Sequence, residues 1–355
     1  MAEPLPQKVR RSHGRVTLRE VAAHAGVSAM TVSRALRQQG SVSATVAERI
    51  QAALDATGYT PNKSAGLLAS GQSHIVAALI PNIANSIFAE TIQGLSDTLQ
   101  SQGLELLLAV TSYSQQREEE QLRALLGWAP RALVVTGTDH TRGALRMMRK
   151  ARDQGVPVLE MWDQSPRSEF LQVGFNHAQA GAAMFHHLRE CGFRDLAFVQ
   201  SNNDADLRAH ERCSGFMDAA RAAGVPVRLL RPVAGEPLAA GRQLAATVLG
   251  QTTLPQAWAF TNDLFAGGVL LQALSMGLRI PHDLALLGFG DMPLAAQLGQ
   301  GLSTLAVPRY AIGQQTGRAI SAVCQGHRPD LALQLEALAP RLIVRSSTMS
   351  GSCPQ

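Results

Sequence analysis

The chain has 355 residues, 46% hydrophobic and 17% charged, which suits a large core divided over two or three domains rather than a small or disordered protein. Its formal charge of +5 resides wholly in residues 1–73, which carry nine basic and four acidic residues, whereas 74–355 carry 23 of each. No apolar run reaches membrane-spanning length, the N-terminus lacks the apolar segment of a secretion signal, and Cys191, Cys213, Cys324 and Cys353 have no metal or CxxC spacing. A cytoplasmic protein with reduced thiols is therefore expected.

The first predicted elements are two short helices around one tight turn, within residues 16–36. Thr17 and Glu20 stand at capping-box spacing. Val21, Ala22 and Ala25 make one apolar face, and Gly26 supplies a turn that needs a left-handed backbone. Ser28 caps the second helix, with Val32, Ala35 and Leu36 facing inward. Ala29, Met30, Thr31, Ser33 and Arg34 are left outward, and such a short polar-fronted helix fits a DNA major groove. Helical hairpins are common in proteins that never touch DNA. Here the basic excess is confined to the same end of the chain, the footprint of phosphate binding. Ser43 caps a third helix with Val46, Ile50, Ala53 and Leu54 on one face, and Gly58 ends it.

The run that follows, Tyr59 to Ser70, completes a set of motifs. VTLREVAAHAGVS-MTVSRAL, GYTPN and the hinge-like Ala65-Gly-Leu-Leu-Ala69 stand in the order and spacing of the lactose-repressor family of bacterial regulators. The chain resembles that family from about residue 16 to about residue 345. The resemblance implies a helix-turn-helix domain over 16–61 and a hinge helix with linker over 62–73. It places DNA contacts among Thr17, Ser28, Ala29, Met30, Thr31, Ser33, Arg34, Tyr59, Asn62, Ala65 and Leu68, with Leu68 as a minor-groove wedge. The implied partners are double-stranded operator DNA, a small-molecule effector and a second copy of the chain.

From residue 74 the pattern alternates short apolar strands with amphipathic helices, the signature of parallel sheets covered on both faces. Strands are predicted at 75–80, 104–110, 132–136 and 156–161, with helices over 87–102 and 115–128. The alternation restarts with a strand at 171–175 and helices over 177–190, 207–222 and 264–276. Further strands fall at 195–200, 257–261 and 284–289. Two similar α/β units suggest a bilobed body with a ligand cleft at the carboxyl ends of the strands. The loops to inspect are 81–88, 136–141, 160–163, 201–212, 261–263 and 288–291. The family resemblance implies the same periplasmic-binding-protein-like architecture. One lobe would comprise 74–172 with 309–336, the other 173–308 with 337–346.

The cleft loops supply the candidate effector contacts Asn85, Phe88, His140, Glu160, Asp163, Arg208, Arg212, Asn262, Asp263 and Asp291. Asn262-Asp263 follows a strand and opens a helix, so a helix cap is one reading. The resemblance implies the other, a hydroxyl-binding carboxylate in the cleft. Arg212 occupies the position of an effector clamp in the family, and a guanidinium fork suits a carboxylate or phosphate. Residues 136–141, 158–163 and 173–176 resemble gluconate-responsive members of the family, which implies a gluconate-like sugar acid. An acid beside Glu160 and Asp163 requires those carboxylates to be paired or to accept sugar hydroxyls. The residues leave 2-ketogluconate, 6-phosphogluconate or a neutral sugar open.

His186, His187 and Glu190 lack a third ligand and read as surface residues, and 202–206 lacks the glycine and terminal glutamate of a calcium loop. Glu118 to Glu120 read as an acidic helix start favoured by the macrodipole. No catalytic set, metal site or cofactor loop is present, and the tail 346–355 has no leucine heptads. The expected function is a sequence-specific repressor released from its operator by a sugar acid. A sugar-binding transport protein would share the body but would need a signal peptide and no helix-turn-helix.

Overall fold

A computed structural model describes residues 16–36, 42–60, 73–83, 86–251, 253–327 and 338–349. The chain divides into two compact units, Met1–Gln72 and Ser73–Gln355.

The first unit contains α1 (Leu18–Ala25), α2 (Ala29–Leu36) and α3 (Ala44–Thr57). The capping box at the start of α1 is formed: the Thr17 amide donates to Glu20 at 2.6 Å, and the Glu20 amide donates to the Thr17 hydroxyl at 3.4 Å. Gly26 ends α1 in the left-handed region at φ 63°. Arg49 of α3 closes over this turn, donating to the carbonyls of Ala25 and Gly26 at 2.5 and 3.1 Å. A side chain at Gly26 would therefore be strained and would strike the guanidinium. Val21, Ala22, Ala25, Val32, Ile50 and Ala53 form the core, with Leu54 and Tyr59 packed half-buried against it. Burying a valine such as Val21 or Val32 contributes about 1.5–3 kcal/mol, so this small core rests on few residues. Ser43 precedes α3 but makes no side-chain cap; its hydroxyl pairs with that of Thr45 instead.

The second unit holds two sheets. The first has the order β2-β1-β3-β4-β5, all parallel, from β1 (Ile75–Ile80), β2 (Glu105–Val110), β3 (Ala132–Thr136), β4 (Val158–Asp163) and β5 (Leu171–Phe175). Between these strands run α4 (Ser86–Gln100), α5 (Gln115–Leu126) and α6 (Arg142–Asp153). The second sheet has the order β11-β10-β9-β8-β6-β7, from β6 (Leu196–Val199), β7 (Val227–Leu230), β8 (Ala257–Phe260), β9 (Ala285–Gly290), β10 (Ser303–Ala306) and β11 (Arg341–Ile343). Only β11 runs antiparallel to its neighbour. The helices of this lobe are α7 (His177–Glu190), α8 (Leu207–Ala222), α9 (Pro237–Val248) and α10 (Asp263–Ser275). Helix α11 (Arg309–Cys324) packs on α4 of the first lobe, and β11 is back in the second sheet.

Several sequence expectations change. β5 pairs with β4 along its whole length, Leu159 opposite Leu171 through Asp163 opposite Phe175. It therefore closes the first sheet rather than opening the second lobe, and a boundary at 172/173 would cut one strand. α6, β7, α9 and β10 were not anticipated. β7 is a four-residue edge strand whose Arg228 and Leu229 are exposed, so it lacks the continuous apolar run that marks the central strands. His187 is buried rather than on the surface, its Nε2 3.0 Å from the Thr348 hydroxyl. Cys191 is disulfide-bonded, against the expectation of a thiol, whereas Cys213 and Cys324 are free.

Helices α7 and α8 touch through their glycines. A Cβ on Gly181 would sit 1.9 Å from the Arg212 carbonyl, and one on Gly215 would sit 1.9 Å from the Ala178 carbonyl. Only hydrogen on both sides permits this approach, which brings Arg212 beneath the start of α7. An aromatic row then runs from Phe88 to Trp162 to Phe175 to Phe289, with successive ring centroids 5.0, 6.2 and 6.3 Å apart. It joins the two lobes below the carboxyl ends of their strands.

Candidate functional site

On the helix-turn-helix unit, α2 presents Met30, 66% exposed, and Arg34 to solvent. Ser28 caps α2 by accepting the Thr31 amide at 3.1 Å, and its hydroxyl also meets the Thr31 hydroxyl at 2.8 Å. Thr31 and Ser33 are half-buried. Ala29 is packed against the headpiece core and so is not outward like Met30. Asn62, Ala65 and Leu68, with the expected hinge helix, lie outside the described residues, as does Asn85.

In the body, two adjoining recesses open between the lobes at the carboxyl ends of the strands. The larger, about 560 Å³, has Thr111, Tyr113, Ser114, Thr136, Thr138, Asp139 and Asp163 on the first lobe facing Leu207, Arg208 and Glu211 on the second. The smaller, about 350 Å³, is lined by Phe88, Trp162 and His177 and by Arg208, Arg212, Asn262 and Phe289. Tyr113 and Arg208 line both.

The smaller recess is built around Arg212, 5% exposed. Its Nη1 donates to His177 Nδ1 at 2.8 Å, its Nη2 donates to the Thr261 carbonyl at 3.1 Å, and its Cζ lies over the Phe289 ring, 3.9 Å from the centroid. Its buried Nε has no acceptor among the described residues. Burial pulls its pKa down to about 10, still far above neutral, so the guanidinium remains charged. Arg208, one turn earlier, sits 3.7 Å from Asp163 and over the Phe88 ring at 5.7 Å. Both arginines lie in the first turns of α8, where the helix dipole also favours an anion. Gly137, at φ 100°, lets the β3 loop pass under this pair; a Cβ there would be 2.9 Å from Arg208 Nη1. Burial would raise the Asp163 carboxyl, but hydrogen bonding to His177 and the charge of Arg208 outweigh it and hold its pKa low. Asp163 is therefore an ionised, neutralised wall of the site.

Phe88, Asp163, Arg208, Arg212 and Asn262 thus come together, although Asn262 also caps α10 by accepting the amides of Leu264 and Phe265. Four other predicted contacts lie elsewhere. His140 and Glu160 face each other in the interior of the first lobe: His140 Nδ1 is 2.7 Å from Glu118 and its Nε2 is 3.5 Å from Glu160. Burial alone would lower the imidazole pKa, but the two carboxylates lift it to about 9. Asp291 is drawn aside to Arg345 at 2.8 Å. Asp263 is neither cap nor cleft wall; its oxygens accept from the Met292 amide and the Thr304 hydroxyl, each at 2.7 Å.

Burial raises the Asp263 carboxyl to about 6, against partial relief from those two donors. Because its folded pKa exceeds the unfolded value, the folded state binds the extra proton between about pH 4 and 6, and stability falls as pH rises through that window. Asp263→Asn should remove about 3 kcal/mol of this pH-dependent difference, at 1.36 kcal/mol per pKa unit. Urea denaturation of both proteins from about pH 4 to 7 checks it; parallel pH profiles would contradict it.

Residues missed from sequence are Thr111, Tyr113, Ser114, Thr136, Thr138, Asp139, Trp162, His177, Glu211 and Phe289. Thr136, Thr138, Asp139, Trp162, Glu211 and Phe289 lie in the loops marked for inspection, and His177 is a polar residue directly between a strand and a helix, but none of them was singled out.

Residues 17–62 match the profile of bacterial regulatory proteins of the lacI family, and 185–348 match a periplasmic binding protein-like domain. The HTH-type transcriptional regulator GntR of Pseudomonas aeruginosa is 37% identical over 319 residues, covering 89% of this chain and 91% of that protein. The chain belongs to the LacI family. A LacI-family transcriptional regulator from Silicibacter pomeroyi superposes with a TM-score of 0.84 at 32% identity, over 94% of this chain and 100% of that one. The lac repressor, seen as a dimer bound to operator and the anti-inducer ONPF, shares the fold with a TM-score of 0.80 at 22% identity, over 95% and 100% of the two chains. This LacI-family protein is a transcriptional regulator, not an enzyme. Among the described residues no helix is long and apolar enough to cross a membrane.

Proposed function

We propose that this regulator represses transcription in the cytoplasm, binds a palindromic operator as a homodimer, and is released by a gluconate-like sugar acid. The observation that carries the effector class is Arg208, which shares the larger recess with hydroxyl-bearing Thr111, Ser114, Thr136 and Thr138 and joins Arg212 on the lining of the smaller one. The acid group goes to the arginines and the free Nε of Arg212, and the polyol tail goes to the hydroxyl wall. Two of the carboxylates near the arginines are engaged within the protein: Glu160 is turned inward to His140, and Asp163 is paired with Arg208 beside His177, while Asp139 and Glu211 stay on the lining of the larger recess.

One α2 helix reads only a half-site, so a dimer on a two-fold symmetric operator follows from the helix-turn-helix geometry. Effector contacts on both lobes favour a closed cleft. If the DNA-binding state is the open one, the ligand shifts the population away from it by its differential affinity. A thermal-shift screen tests the class: a ligand at 100 times its dissociation constant adds about 2.7 kcal/mol. Gluconate should stabilise the protein at concentrations where neutral sugars do not. Stabilisation by 6-phosphogluconate or 2-ketogluconate alone would move the assignment to that ligand.

Arg34 is the exposed cation of α2, and a bidentate arginine–guanine contact discriminates by roughly 1–3 kcal/mol. Arg34→Ala should lower affinity for the preferred DNA sequence about 5- to 150-fold on that scale while leaving effector-induced melting shifts intact. Anisotropy titrations on preferred and scrambled duplexes check this; a uniform loss on both would make Arg34 a phosphate contact only.

A further inference from the structure

His177 is the first residue of α7, immediately beyond the crossover from β5, and is 2% exposed. Its ring stands between both lobes' contributions to the site. Nε2 lies 2.9 Å from Asp163 Oδ1 and 3.2 Å from the Trp162 carbonyl, while Nδ1 lies 2.8 Å from Arg212 Nη1. A guanidinium has donors only, so Nδ1 must carry the lone pair and the proton must be on Nε2. The ring packs tilted against Phe175, with centroids 4.4 Å apart and planes 53° apart, and the glycine contact between α7 and α8 fixes the distance to Arg212. The charged groups facing the imidazole are Asp163 from β4 and Arg208 and Arg212 from α8.

We propose that His177 aims Arg212 at the effector's anionic group: as a neutral Nε2–H imidazole it accepts from Arg212, donates to the Trp162 carbonyl beside Asp163, and so sets the site's preference for anions over neutral polyols. It is a positioning residue and does not itself hold the acid group. Protonation would replace the acceptor with a second donor facing a guanidinium, and Arg212 would be displaced. Burial and the two arginines oppose that protonation while Asp163 favours it, and the balance keeps the imidazole pKa below its usual value. The inference rests on the sugar-acid reading of the recess, so its test has one arm that needs no ligand.

In ligand-free full-length protein, the ¹⁵N shifts of the His177 imidazole should report the Nε2–H tautomer at about pH 7.5. A cationic or Nδ1–H ring there overturns the proposal whatever the ligand proves to be. In calorimetric titrations, His177→Ala should weaken gluconate binding roughly tenfold or more, the scale of a charge-assisted hydrogen bond, while glucitol binding changes by less than about threefold. His177→Asn, whose Oδ1 can replace Nδ1 as acceptor, should restore gluconate binding to within about threefold. An alanine variant with the wild-type gluconate-to-glucitol ratio, or an asparagine variant that binds gluconate no better than the alanine variant, would overturn it. A wild type without preference for gluconate defeats the proposed effector class, and the tautomer then decides His177 separately.

Discussion

Arg212→Ala should weaken gluconate binding by roughly one to two orders of magnitude, the equivalent of a charge-assisted hydrogen bond of about 1.5–3 kcal/mol. The side chain is buried, stacked on Phe289 and held by His177 and Thr261, so its orientation is fixed before any ligand arrives. Such preorganisation lowers the ordering cost of binding. Removing it also leaves the Nδ1 lone pair of His177 and the Thr261 carbonyl without their donor, so a modest loss of stability accompanies the loss of affinity. DNA affinity without effector should change little, which gives a regulator that stays on its operator when gluconate is added. Calorimetric titration of gluconate into the variant measures the effect. Wild-type affinity would remove Arg212 from the site.

His140→Ala should be the most destabilising single change in the first lobe. It strips the cation from between Glu118 and Glu160, two carboxylates within 2.7 and 3.5 Å of the imidazole, and buried pairs broken in this way cost about 3–5 kcal/mol. Among the described residues, Glu160 then keeps the Gln172 amide as its side-chain donor, at 2.9 Å. The same cluster gives a pH dependence in the alkaline range. The folded pKa of His140, about 9, lies above its unfolded value of 6.5. Its stabilising charge is fully present below about pH 6.5 and is lost as pH rises through 9, a change of about 3 kcal/mol at 1.36 kcal/mol per unit. Urea denaturation at about pH 6 and pH 10 should show this drop in the wild type and its absence in the alanine variant. Equal pH profiles would mean that the cluster is not ionised as described.

The DNA-reading unit was legible because its determinants are local. A capping box, a left-handed glycine and inward residues at helical spacing need no knowledge of the rest of the chain. The alternation of strands and helices gave the two-lobed body for the same reason. What the residues could not reveal was which way polar side chains turn at the strand ends. Glu160 lies in the middle of β4, a strand buried along its length, and Asp163 closes it. Adjacent strand positions point to opposite faces, and only the packing of α5 and the β3 loop places His140 on the Glu160 side. Asp291 sits at φ 49° and is turned to Arg345, more than fifty residues further along the chain. β5 was assigned to the wrong lobe because a strand's pairing partner is a long-range choice. His177 was passed over because a lone histidine after a strand means little until Arg212, thirty-five residues on, is seen to donate to it.

The central claim joins the two units: a sugar acid bound in the body weakens DNA binding by the headpiece. Fluorescence anisotropy on a labelled duplex, chosen by the protein itself from random DNA, tests it most directly when repeated with saturating gluconate and with glucitol. Gluconate should raise the dissociation constant for that duplex about tenfold or more, a coupling within the usual 1–3 kcal/mol, and glucitol should leave it unchanged. Equal DNA affinity with and without gluconate, in a protein shown calorimetrically to bind it, would contradict the account.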